Sequence, residues 1–406
     1  MAELTIDLLH DAVRGGAVAL RSIVRLQPVD GPGGKVFPPT YAVNADHKYA
    51  VEERQVGDKV VTTVLLDSVA SQANRAELAL KEGWEEGELH FPVPFVDFTD
   101  EADVDDLGKI TVLDAPHRLA DAIFRDSLLE GTLFRLSAVG RAVTEARPQD
   151  ATAMFRYAPT ALLFGQWDST GPKGGLGSKF QRAYVSEIVG LDAQVGRKVG
   201  SRIDPLQIEK AAAVAYEHAD PEQVWTLEES EAARDNKGKL KSAGSDGRPS
   251  EINHGNIAPG IDAQSGGVTI SGARQTTVIS LAALRRLRFA GLSRDAEVAA
   301  RTAVAALGVA AIAYGYENDH DLRSRCLLVP EHAPRLELIA RDGSTPEAVE
   351  VDRESAARLL SEASRAATGV GVGWEEGPIS LVPAPKLIEL LKRSREVSAR
   401  EPAESD

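Results

Sequence analysis

The chain has 406 residues, 43% of them hydrophobic, with a formal net charge of -15 and a pI near 5.1. That length and apolar content bury a sizeable core and suggest two domains, or one with large insertions; the acidic balance excludes a uniformly basic surface for polyanions. A single cysteine, Cys326, excludes an internal disulfide and fits a reducing compartment.

The N-terminal MAELTIDLLHD has neither the positive flank nor the apolar core of a signal peptide. The longest uncharged alanine-rich stretch, residues 303–316, is shorter than the about 20 residues a membrane-spanning helix needs. The expectation is a soluble, cytoplasmic protein. In chain order, residues 4–14 read as a short helix, and 17–26 as a strand through Val18, Leu20, Ile23, Val24 and Leu26. Residues 28–39 form a Gly/Pro loop carrying Asp30 and Lys35. Residues 60–66 follow as a strand, then 67–81 as a helix capped near Asp67 and stopped by Gly83. The pattern predicts a helix over 117–130, with Leu119, Ile123 and Leu128 inward, and a strand over 133–139.

The apolar run 161–164 leads, as a strand, into Gln166-Trp167-Asp168. A glycine loop with Gly171, Gly174, Gly175 and Gly177 comes next, then an alternating strand over 180–189. Residues 205–218 read as a helix and 295–314 as a long Ala/Val helix packed on both sides. Strands over 322–329 and 336–340 follow, with Cys326 a small buried hydrophobe. Helices over 353–367 and 385–397 close the pattern. Strands and helices mix without a repeating βαβ unit, which favours α+β. Residues 228–258 contain almost no large apolar side chains, so they cannot offset ordering entropy alone and are expected to be mobile in isolation.

The charge is unevenly spread. Residues 82–106 hold ten acidic residues and no Lys or Arg, and 331–406 hold fifteen acidic residues against ten basic ones. Residues 171–202 instead carry Lys173, Lys179, Arg182, Arg197, Lys198 and Arg202 against Glu187 and Asp192. Local potential governs polyanion binding because screening cuts interactions off beyond about 10 Å. Lysines and arginines around a glycine loop suit phosphate oxygens, and His254 and Asn256, in Ile252-Asn253-His254-Gly255-Asn256, offer an imidazole and amides to phosphates, sugars or base edges. On the helix over 65–79, Ser68, Ser71, Gln72 and Arg75 share one face beside Asn74, with no acidic member, which suits clasping a phosphate backbone. Trp167 is either a rim packing residue or a base-stacking platform. Arg285, Arg286 and Arg288 are either a second strip of contacts or solvated helix charges.

Other chemistries find little support. The glycine loop lacks Walker A spacing, and Gly175-Leu176-Gly177 precedes a strand instead of a dinucleotide-binding helix. Scattered histidines and one cysteine give no zinc spacing, so no metal and no cofactor is expected.

Taken in order, DSVASQANRAE, FGQWDSTGPKGGLGSKFQRAYVSEIVG, SEINHGN, SLAALRRLRF and LRSRCLLVPE resemble the backbone subunit of type I-G (formerly I-U) CRISPR surveillance complexes, of the RAMP superfamily's seven-group. The resemblance runs from about Leu4 to Pro330. It implies a modified RRM-like, ferredoxin-like palm over 1–330 with inserted fingers and a thumb, and an acidic extension over 331–406 packing on the palm. Several copies would stack head to tail along one guide RNA (crRNA), with other Cascade subunits, and present the spacer for pairing with target DNA. The resemblance implies that Ser71, Gln72, Asn74 and Arg75 face the guide from the palm helix. Gln166, Trp167, Lys173, Lys179 and Arg182 would lie in the glycine segment's share of the groove, with His254 and Asn256 in or near a thumb over 228–258. A guide of arbitrary sequence must be held through phosphates and 2′-hydroxyls. The expected protein is not an enzyme. The enzymatic alternative is an endoribonuclease, with Asp30, placed like the catalytic aspartate of related type III subunits, serving a metal, or His254 serving acid–base guide processing.

Overall fold

The computed structural model describes residues 2–170 and 177–400. It is a mixed α+β structure built on an antiparallel sheet curled into a half-barrel, consistent with an RRM-like fold. The chain divides into two compact units, one of residues 1–42, 49–194 and 268–387, the other of residues 43–48, 195–267 and 388–406.

The first unit carries a ten-stranded sheet whose middle is formed by Ala17–Pro28, Gly272–Ser280 and Tyr184–Leu191, all antiparallel. Leu336–Ala340 and Glu347–Glu350 extend one side, and Lys59–Asp67 and Val51–Val56 the other. Side chains alternate as a strand requires: Leu20, Ser22, Val24 and Leu26 are buried while Ile23 and Arg25 are exposed. Leu26, Val64, Ile188, Ala273, Cys326 and Leu328 pack into one apolar cluster between the curled strands. One buried row is polar. Ser22, Thr277 and Ser186 are register neighbours across the three central strands, and Thr277 and Ser186 share a hydroxyl hydrogen bond of 2.8 Å.

Against this sheet lies the Arg294–Glu317 helix, whose residues from Ala296 to Tyr314 are all buried. It is long and apolar enough to cross a membrane by length and composition, but that apolar window is wholly enclosed by the fold. A helix apolar all round is a core helix when it is covered on every side. The Val69–Glu85 and Arg353–Gly369 helices provide that cover. Its charged pair, Glu297 and Arg301, is turned to use: Arg301 donates to the Leu287 carbonyl and to Glu297, and Glu297 also accepts from Arg288.

Several local expectations fail, each for an identifiable reason. The 161–164 run is helical (Pro159–Phe164) instead of extended, entered through Pro159, whose fixed φ suits a first turn. Residues 117–130 break into a short 3-10 turn, Arg118–Ala120, a single helical turn, Ala122–Arg125, and a strand, Ser127–Leu129. Residues 133–139 likewise contain only the edge of a strand, Thr132–Leu133; Ser137 then accepts from the Gly140 amide and starts the helix Ala138–Glu145. The Val69–Glu85 helix takes its cap at Ser68, near Asp67 as expected, but continues through Gly83, the expected stop, to Glu85. The strand Val51–Val56 escaped notice because its alternation is charged and polar on the exposed side.

In the second unit, Lys198–Arg202 and Ile257–Asp262 pair as an antiparallel two-stranded ribbon. The expected helix over 205–218 does not form. Instead the Asp204 carboxylate accepts from the amides of Leu206, Ile208 and Gly255, tying the chain into turns, and Tyr216–Glu217 pairs with Trp225–Thr226. Residues 228–256 are turns, isolated bridges and the short Pro249–Ile252 helix, and 257–258 begin the Ile257–Asp262 strand.

Candidate nucleic-acid interface

The first unit carries an open cleft of about 870 Å³ beside the glycine segment. Its local architecture follows from one turn. The buried Pro159–Phe164 helix ends at Gly165, which holds φ +82°. A Cβ there would lie 3.0 Å from the Arg182 amide nitrogen and 3.1 Å from the Phe180 carbonyl oxygen, so only glycine lets the chain turn this close to the neighbouring strand. Gln166–Trp167 then pairs with Lys179–Phe180, placing Trp167 opposite Lys179. Beneath the pair, Gln166 donates to Ser178 at 2.8 Å, and buried Asp168 takes Arg135 at 2.5 Å, fixing the foot of the glycine loop. The Lys173 position, with Gly171, Gly174 and Gly175, falls outside the described residues.

The cleft walls combine aromatic faces with cations. Trp167 is 60% exposed, and the Lys179 ammonium stands 5.1 Å over its ring. Phe164, Phe180 and Leu287 form the apolar floor, and Lys179, Arg182 and Arg286 supply charge. Among the described residues lining the cleft there is no Asp or Glu, in a chain with 61 of them.

Arg182 makes no described hydrogen bond and is only partly compensated, through space, by Glu77. Glu77 is taken by Arg118 in a two-pronged pair of 2.6 and 2.8 Å, and Arg118 also donates to the Gly165 carbonyl at 2.9 Å. Desolvation, with repulsion from Arg118 added, lowers the Arg182 pKa below its ordinary value. Burial pushes the Glu77 carboxyl up to about 7 against the pull of Arg118. An exposed guanidinium repelled by a second one is suited to an anionic oxygen.

The palm-helix residues lie elsewhere in this unit. Gln72 is buried, donates to Asp67 at 2.6 Å, and accepts from Ser186 at 2.9 Å and Gln275 at 2.8 Å. Arg75 donates to Asp67 at 3.0 Å and to the Leu322 carbonyl at 2.5 Å, while Arg323 reaches the other Asp67 oxygen. Ser71 is half-buried, its amide donating to Ser68, and Asn74 is exposed. Gln72 and Arg75 line a separate cavity of about 140 Å³ with Gln275, Tyr316 and His320. The structure therefore brings Gln166, Trp167, Lys179 and Arg182 together and does not bring Gln72 and Arg75 to the same cleft.

Residues 20–195 match the family model described as CRISPR-associated protein GSU0053. The similarity supports a CRISPR-associated protein with a role in CRISPR defence. The matched stretch takes in the palm helix and the whole cleft hairpin. No curated protein matches the chain.

The remaining expected positions belong to the second unit. Asn256 accepts from the Asp204 amide at 2.7 Å, and the His254 ring meets Trp225 edge-on at 6.3 Å. Asp30, in the first unit, sits exposed in the turn after the first long strand. Among the described residues no three His, Cys, Asp or Glu side chains gather as a metal-binding group.

Sequence reasoning missed Glu77, Arg118 and Arg135. Each is distant in sequence from the cleft residue it supports, and only an unusual φ, +52° at Arg118, marks one of them in the backbone. Of the arginine triplet, Arg285 is spent on the carbonyls of Ala12, Val13 and Ala17, and Arg288 on Glu297. Arg286, bonded to Gln181, is the one that lines the cleft.

Proposed function

We propose that this chain is the guide-RNA-binding backbone subunit of a type I-G CRISPR surveillance complex. The observation that carries the reading is the carboxylate-free cleft in a chain of net charge -15, where Trp167 offers a stacking face and Lys179, Arg182 and Arg286 offer phosphate ligands. Such a surface binds a single strand without reading its letters, which is the requirement for a guide of arbitrary sequence. Stacking tolerates every base, and the cations see only the backbone. Lys173 would add to this set, and Ser71, Asn74 and Arg75 would contact the guide at a second place on the palm, with Gln72 acting from within by holding that helix to the sheet.

The thumb role fits the Lys198–Arg202 and Ile257–Asp262 ribbon better than residues 228–258 alone. Val199 and Ile261 are register partners on it, 72% and 69% exposed, with cationic Lys198 and Arg202 on the same strand. An exposed apolar pair on a two-stranded ribbon, beside Arg202 and the 3.2 Å Lys198–Asp262 ion pair, is suited to insertion between bases. His254 and Asn256 immediately precede that ribbon. In this reading copies associate head to tail along the guide in the cytoplasm and hold it for pairing with target DNA beside other subunits, without catalysing a reaction.

The decisive experiment is purification of the tagged full chain from its native host and sequencing of the RNA it carries. Guide RNAs with uniform repeat-derived ends are expected. Recovery of no RNA, or of random cellular RNA, would refute the proposal. Incubation of the complex with complementary RNA and Mg²⁺ is expected to give no cleavage; turnover abolished by Asp30→Ala or His254→Ala would replace the reading with the nuclease one.

A further inference from the structure

Behind the basic cleft the Val69–Glu85 helix buries an acid that the cleft lining does not show. Glu77 is 2% exposed, and its carboxylate takes Nε and Nη2 of Arg118 at 2.6 and 2.8 Å. Arg118 belongs to the cleft wall; its third nitrogen, Nη1, donates to the Gly165 carbonyl at 2.9 Å, and its guanidinium lies 5.5 Å from the centre of the Phe164 ring in the floor. The second guanidinium whose charge reaches Glu77 is that of Arg182, exposed on the same wall. One buried acid thus stands behind two of the cations that face the cleft.

The other charged groups around this acid are engaged elsewhere. On its own helix, Lys81 holds Asp114 at 2.9 Å and Glu85 at 3.7 Å. In the turn that carries Arg118, Asp121 accepts from the His117 and Ile123 amides at 3.2 and 3.0 Å. Among the described residues of the cleft wall, His117 is the exposed imidazole, a group that by nature titrates near neutrality. Burial has already pushed the Glu77 carboxyl up to about 7. Ionised, Glu77 draws on Arg118 and Arg182, the guanidiniums that an incoming phosphate needs; protonated, it leaves them to the phosphate. A phosphate on that wall and an ionised Glu77 are like charges sharing the same cations, so each disfavours the other, and the effect is reciprocal.

We propose that Glu77 couples the cleft's grip on RNA to a proton: seating a phosphate against Arg182 promotes protonation of Glu77, and the strand is held more tightly as the pH falls. The inference rests on the RNA-binding reading of this cleft and adds that an acid which never touches the strand sets its affinity from behind. At an effective dielectric of about 20, a negative charge about 10 Å away moves a carboxyl titration up by about one pH unit. A ligand with that effect binds best below the titration range and loses affinity as the pH rises through it.

The test is fluorescence anisotropy of labelled poly-U with the full chain at constant ionic strength, from pH 6 to pH 8. Wild-type affinity should fall about three- to tenfold over that range. His117→Gln should keep the fall, and Glu77→Gln, which offers Arg118 an acceptor without a charge, should bind nearly equally throughout. A flat wild-type profile, an affinity that rises with pH, a fall lost with His117→Gln or a fall kept by Glu77→Gln overturns the proposal. Should Glu77→Gln not fold, calorimetry of the His117→Gln chain at pH 7 in buffers of different protonation heat counts the protons directly. Uptake of about 0.3–0.5 proton per chain is expected, and no uptake refutes the coupling. RNA bound tightly at every pH defeats the coupling alone, whereas no binding at any pH defeats the RNA-binding reading with it.

Discussion

Combined alanine substitution of Lys179, Arg182 and Arg286 should remove three phosphate ligands from one cleft without unfolding it. Among the described residues none of the three has an ion pair: Lys179 stands over the Trp167 ring, Arg182 makes no described hydrogen bond, and Arg286 donates to the exposed Gln181 amide. Each phosphate released from a single strand reduces the salt slope of log K by about 0.7, so the triple variant should lose about 2 from that slope. Over a fourfold salt change, 50 to 200 mM, the wild type should thus lose about 20-fold more affinity than the variant. The assay is fluorescence anisotropy of a labelled poly-U strand at four or five salt concentrations, with thermal melting as the fold control. An unchanged slope in a normally melting triple variant would sink the assignment of the cleft to a phosphate backbone.

Trp167→Ala should lower RNA affinity by about 1–3 kcal/mol, roughly 5- to 150-fold, with no change in melting temperature because the ring is mostly exposed; a stability loss without an affinity loss would assign Trp167 to packing. Arg118→Met leaves Glu77 buried without its partner and should cost about 3–5 kcal/mol in urea unfolding at pH 8. Because the folded Glu77 pKa already lies above the unfolded value, the protonated form is the favoured one, and stability falls as pH rises through that range; the deficit of the variant should therefore shrink at pH 5. Burial lowers the His320 pKa, so the unfolded state binds its proton first and stability should fall as pH drops below about 6.5. His320→Gln should flatten that limb of the melting profile, and an unaltered limb would remove His320 as its source.

How much could be read from the chain depended on whether a segment's own pattern or its neighbours decided its form. The Arg294–Glu317 helix and the strands Ala17–Pro28 and Tyr184–Leu191 announce themselves, since a strong period forces one face or all faces inward wherever they pack, whereas the central strand Gly272–Ser280, polar from Arg274 to Thr277, does not. Gly83 shows the opposite situation. It reads as a helix stop, yet a Cβ there would lie 2.4 Å from the Tyr314 ring, so the glycine exists to let the palm helix approach the core helix. In the same way Gln72 and Arg75 look like a solvent-facing polar stripe until Asp67, Ser186 and Gln275 are found opposite them. A buried hydroxyl row on strands far apart in sequence leaves no periodic trace. The cleft hairpin was legible in its chemistry, with Trp167, Lys179 and Arg182 in one place, but not in its support by Glu77, Arg118 and Arg135.

Among the described residues the cleft lining holds no acid, and this matters before any contact forms. In the proposed reading, a polyanion meets less repulsion at this cleft than at the acidic surface of the same unit, so the local field biases its encounter toward the cleft. On that proposal the same bias disfavours idle nucleic acid elsewhere on the acidic surface, so a firm grip and a low background are compatible.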